Sequence, residues 1–137
     1  MKTKVYFLEI VYYLETDKED NERVEYRLGD SFWCNRRKLQ RAKKRIVENL
    51  NEGWRIAITH YDIVLRKGQK YLYILNYEYY AKDGTCYFYS FYPQTSYKKC
   101  HTLKKDILTK KEHPFDSNSN RVRIDEKWFV EKYEIVY

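Results

Sequence analysis

The sequence predicts an α+β fold: a mostly antiparallel sheet of about five to six strands packed on one amphipathic helix. Three observations predict it. Apolar and polar residues alternate over 5–15, the period lengthens to that of a helix over 35–51, and Asp83-Gly84 separates two aromatic, strand-like runs.

In the first segment Tyr6, Leu8, Ile10, Tyr12 and Leu14 fall on one face at the strand period. A polar turn at 17–21 follows. Val24, Tyr26 and Leu28 then alternate with Arg23, Glu25 and Arg27, completing an opening hairpin. Over 35–51, Leu39, Ala42, Ile46, Val47 and Leu50 form a single helical stripe opposite basic residues. Asn35 suits the N-cap, and Gly53 suits the position just past the C-terminus.

Three strands come next, over 54–65, 70–81 and 87–92, read as a meander turning at Lys67-Gly68 and at Asp83-Gly84. If both turns hold two residues, the register follows. Trp54, Ile56, Ile58, His60, Leu75, Tyr77, Tyr79, Phe88 and Tyr92 would then share an apolar face under the helix. Arg55, Thr59, Tyr61, Asn76, Glu78, Tyr80, Tyr87, Tyr89 and Phe91 would share a mixed face, open or covered by a partner. Beyond Pro93 a second short helix is expected near 102–111, carrying Leu103, Ile107 and Leu108. An exposed loop at 116–120 and a terminal strand within 122–137 complete the chain. The order is hairpin, helix, three-strand meander, terminal strand, and residues 1–137 read as one domain, the size of an ordinary single core.

The 16 tyrosines carry much of the apolar content, each with a hydroxyl that needs water or a partner. Cys34, Cys86 and Cys100 form no C-x-x-C pair, and an odd count gives no disulfide framework. The apolar start is broken by Glu9, and no small-residue cleavage site follows it. No run approaches the roughly 20 apolar residues that span a bilayer, so a cytoplasmic protein without membrane contact is expected. Small size and skewed composition are compatible with a phage or mobile-element origin.

The net charge of +7 is concentrated. Arg36, Arg37, Lys38, Arg41, Lys43, Lys44 and Arg45 lie within ten residues that hold no acid. Cations in a helix's first turn oppose its dipole at roughly 0.3–1 kcal/mol each, so Arg36, Arg37 and Lys38 sit where acids would be favoured. An arrangement that local stability disfavours points either to tertiary salt bridges or to an anionic partner, of which the partner is the favoured reading. Arg36, Arg37, Lys38, Arg41, Lys44 and Arg45 are therefore the expected contacts to nucleic acid or to an acidic protein surface. Tyr61, Tyr80, Tyr87, Tyr89 and Phe91 are the expected stacking or docking area. The alternative is a protein-interaction, inhibitor or virion-type role for the aromatic face, including self-association as a homo-oligomer.

Catalytic signatures are not evident. The chain has four glycines and no phosphate-binding glycine loop. His60, His101 and His113 lack metal-ligand spacing, and His60 reads as a packed core residue. Cys100 beside His101 is too close in sequence to face it across a site. Asp125-Glu126-Lys127, with Asp116 as a further acid, resembles half of a metal-dependent nuclease centre. This is the most remote reading. No cofactor, metal site or catalytic residue is expected.

Overall fold

The computed structural model describes residues 1–14, 22–27, 31–50, 54–110 and 122–137, the side chains of 10–14 and 22–27 excepted. These residues form an α+β fold with a mixed, mostly antiparallel sheet and two helices. In order they are β1 (Lys2–Leu14), β2 (Glu22–Arg27), β3 (Ser31–Trp33), α1 (Arg36–Glu48), β4 (Trp54–Val64), β5 (Tyr71–Tyr80), β6 (Cys86–Ser90), α2 (Tyr97–Thr109) and β7 (Ile124–Val136). The chain divides into two compact units: Met1–Gly68 with Glu134–Tyr137, and Gln69–Tyr133.

In the first unit β1 is the organising strand. It pairs antiparallel with β2 from Glu9↔Arg27 to Leu14↔Glu22, which is the expected opening hairpin. It pairs with β4 from Lys2↔Val64 to Tyr12↔Trp54, and with β3 at Tyr6↔Trp33. The short β3 runs parallel to the end of β7, from Ser31↔Glu134 to Trp33↔Val136. Val5, Phe7, Leu8, Phe32, Leu39, Ile63 and Ile135 are buried, and the Phe7 and Phe32 rings meet at 4.9 Å. The turn at 17–21, Leu28 and Gly53 lie outside the described residues.

Helix α1 begins where expected. The Asn35 side-chain oxygen accepts from the N–H groups of Arg37 (3.0 Å) and Lys38 (3.2 Å), the usual N-cap arrangement. Leu39 is its buried anchor, Ala42 and Ile46 are half-buried, and Val47 is exposed. The helix ends at Asn49, whose N–H donates to the Ile46 carbonyl at 3.0 Å.

The meander needs correction at both turns. All eleven residues of β4 pair with β1, whereas β5 is flanked by β6 and β7. The 65–70 connection is six residues long, with Gly68 at φ 77°, so no two-residue turn imposes a β4–β5 register. At the second turn Tyr80 pairs with Cys86, and Ala81 N–H donates to the Thr85 carbonyl at 2.8 Å. Lys82, Asp83 and Gly84 thus form a three-residue loop, with Gly84 at φ 87° and Asp83 Oδ1 accepting from Thr85 N–H at 2.9 Å. One residue more than expected exchanges the faces of β6. Tyr77 pairs with Tyr89 and Tyr79 with Tyr87 on one side, while Asn76 pairs with Ser90 and Glu78 with Phe88 on the other.

In the second unit Leu72, Ile74, Leu75, Asn76, Tyr77, Tyr79, Ala81, Cys100 and Tyr133 are buried. Asn76 is fully buried and carries a polar network. Its amide donates to Glu131 Oε1 at 2.7 Å, its oxygen accepts from Ser90 Oγ at 2.6 Å, and Tyr133 donates to Glu131 Oε2 at 2.7 Å. Helix α2 starts earlier than expected, with Ser96 Oγ accepting from Lys99 N–H at 3.2 Å as its cap. The extra turn is held by Cys100, which continues the i, i+3, i+7 stripe of Leu103 and Ile107 and donates its thiol proton to the Tyr73 carbonyl at 3.7 Å. No helix of the described residues is long and apolar enough to cross a membrane.

Candidate functional site

The cationic residues of α1 divide by helix face. Arg36 turns back over the Tyr6 ring, its guanidinium carbon 5.9 Å from the centroid. Arg37, Lys38, Arg41, Lys44 and Arg45 are exposed, and Lys43 is half-buried. With Leu39 inward, the 100° step per residue sets Arg37, Arg41 and Lys44 along the outermost ridge. Lys38 Nζ donates to the main-chain carbonyl of Tyr137 at 2.6 Å. The ring orients Arg36 and the main-chain oxygen orients Lys38. The Asn35 oxygen already holds two of the free N–H groups at the helix start, so an anion would be gripped by side chains rather than by that backbone.

Two shallow grooves flank the helix. Gln40, Lys43, Lys44, Val47 and Glu48 line one of about 410 Å³. The other, of about 200 Å³, is lined by Trp33, Lys38, Arg41, Ala42 and Arg45. The second has no acidic residue in its lining and adds a half-buried indole to three cations. Trp33 was not legible as a site residue, because β3 is three residues long and shows no period. Its only sequence signal is an aromatic residue two positions before a helix cap.

The expected aromatic surface is dispersed. Tyr61 belongs to β4 in the first unit, half-buried, with its ring edge-on to Phe32 at 6.1 Å. In the second unit Tyr87, Tyr89 and Phe91 share a side of the β5–β6 ladder, and Tyr80 is on the opposite side. Tyr87 stacks on Tyr79 at 5.1 Å and Phe91 on Trp128 at 6.0 Å, so one face of each ring is already occupied. The exposed aromatics of that unit include Tyr80, Phe88 and Phe129, the last two 6.0 Å apart.

The other residues weighed for chemistry are also placed. His60 is exposed on β4, its ring 6.3 Å from that of its cross-strand partner Tyr6, and is not packed in a core as expected: sharing a sheet face with apolar residues does not bury a side chain that a second layer leaves uncovered. His101 is exposed on α2, edge-on to Tyr97 at 4.4 Å, while the adjacent Cys100 points inward. His113 and Asp116 lie outside the described residues. Asp125 has φ 53°, a left-handed conformation that Asp tolerates better than most residues. Glu126 accepts from the Tyr77 hydroxyl at 2.5 Å, and burial, then this carboxylate, pushes the phenol upward. Among the described residues no three His, Cys, Asp or Glu side chains are grouped to hold a metal ion.

The three cysteines are free. Burial raises the Cys34 thiol; burial and then Glu78 raise that of Cys86. Burial pushes the Cys100 thiol from about 9 up to about 11. A raised acid is protonated in both states below pH 9, and above it ionises first in the unfolded chain. Stability is therefore expected to fall between about pH 9 and 11, by roughly 2–3 kcal/mol for Cys100 alone. Urea midpoints taken across that range for the native chain and Cys100→Ala check this; the variant should show the shallower decline.

Comparison of the chain with protein-family models, with curated proteins and with solved structures finds no match.

Proposed function

We propose that the protein is a binding module for nucleic acid, held through the phosphates by the outward side chains of α1. One observation carries this reading: Arg37, Lys38, Arg41, Lys44 and Arg45 are exposed together on a single helix. Five cations on about two turns and a half of helix offer a linear positive ridge. Phosphates recruit such ridges by releasing condensed counterions, and contacts of this kind give affinity without reading bases.

The test is salt dependence. With three to five phosphates contacted, affinity for duplex DNA should fall roughly a hundred- to three-thousandfold between about 50 and 300 mM salt. Equal affinity at both concentrations overturns the proposal.

A second reading draws on the exposed Tyr80, Phe88 and Phe129 of the second unit. A protein partner, or a second copy of the chain, docked on these rings would bury apolar area. Association by that route would persist at high salt, and light scattering would show it as a mass above that of one chain.

A further inference from the structure

The groove between β3 and α1 deepens the nucleic-acid reading, on which this inference rests. We infer that it holds one unpaired base, stacked on the Trp33 indole, with neighbouring phosphates on Lys38, Arg41 and Arg45. The ligand class is single-stranded nucleic acid.

Three features support this assignment. First, the groove combines a π-surface with cations: Trp33 and Ala42 supply apolar lining, and three of the five lining residues are cationic. Among the described residues no ring stacks on Trp33, in contrast to Tyr87 on Tyr79 and Phe91 on Trp128. Second, Lys38, Arg41 and Arg45 are spaced i, i+3, i+7, so they stand along one flank of the helix over about 10 Å. That is a rail for a backbone running beside the indole. Third, Lys38 is fixed by the Tyr137 carbonyl at 2.6 Å, and Trp33 is held in the ladder between Tyr6 of β1 and Val136 of β7. The groove is therefore shaped before any ligand arrives.

The indole face favours single over double strands. In a duplex the bases are stacked on one another and present only their edges. An indole flanked by cations suits a base that has left its stack, which only an unpaired segment supplies cheaply.

The experiment measures affinity for a thymidine oligomer of about twelve nucleotides, for an abasic sugar–phosphate oligomer of equal length and for the matching duplex. Stacking of one base predicts that thymidine binds roughly five- to a hundred-and-fifty-fold tighter than the abasic strand. Trp33→Leu should remove that preference, and Trp33→Phe should restore part of it. Photo-cross-linking with an iodouracil oligomer should label Trp33 in the native chain, whatever the folding of the variants. Equal binding of the thymidine and abasic strands, a preference that survives Trp33→Leu, or cross-links confined to other residues would overturn the inference while leaving the phosphate-binding role standing. Failure of all three nucleic acids to bind at low salt would remove both.

Discussion

Exchanging Arg41 and Arg45 together for glutamate is expected to lower nucleic-acid affinity at least about a hundredfold near 100 mM salt. Two phosphate contacts are lost and two repulsive charges gained, and the log–log salt slope should become shallower by about two. The variant is well suited to the purpose because stability should change little. Glutamate at 41 turns its i, i+4 contact with Arg37 into an attraction, whereas the two glutamates still repel each other and the one at 45 opposes the dipole in the last turn, at roughly 0.3–1 kcal/mol. Circular dichroism and a urea midpoint close to the native one, alongside lost binding, would assign the effect to the interface. Retained binding would mean that α1 is not the contact surface.

The largest stability effect is expected at Asn76. Its side chain is fully buried, donating to Glu131 and accepting from Ser90. Asn76→Ala removes one hydrogen bond from the Glu131 carboxylate and one from the Ser90 hydroxyl, a loss of roughly 2–4 kcal/mol. Asn76→Asp should be worse at neutral pH, because a second carboxylate then stands where an amide met Glu131 at 2.7 Å. Two such groups resist joint ionisation, so the new carboxyl is raised above its unfolded value of about 3.9. A raised acid loses its share of stability as pH climbs: the variant should approach the native chain near pH 3 and fall progressively behind it toward pH 7. Adding Glu131→Gln should recover much of the loss. Urea unfolding at several pH values reads all of this, and a pH-independent difference would contradict the charge explanation.

Patterns within a few residues were legible, and partners distant in sequence were not. The β1 alternation, the Asn35 cap, the Leu39 stripe and the β5–β6 hairpin follow from local chemistry and are present. The pairing of β4 with β1 joins residues more than forty apart, and no local signal announces it. Asp83-Gly84 marks a turn in either loop length, and only the backbone shows that Lys82 belongs to it; that single residue moved Tyr87 and Tyr89 to the side of Tyr77 and Tyr79. Asn76 was assigned to an open face because a polar residue among tyrosines suggests water, whereas its hydrogen bonds come from within the second unit. The cationic residues of the candidate site were identifiable from charge spacing alone. Trp33 was not, since a three-residue strand carries no period, and the groove it lines depends on a helix lying beside it.

The parallel pairing of β3 with residues 134–136 has a consequence for the order of assembly. During synthesis the opening hairpin and α1 leave the ribosome roughly ninety residues ahead of the segment that flanks Trp33 and receives the Lys38 ammonium. The nascent chain thus carries its cations long before residues 134–136 can pair with β3 beside them. Removing residues 134–137 should leave β3 without its parallel neighbour and Lys38 without its tether, a state like that of the chain before those residues emerge.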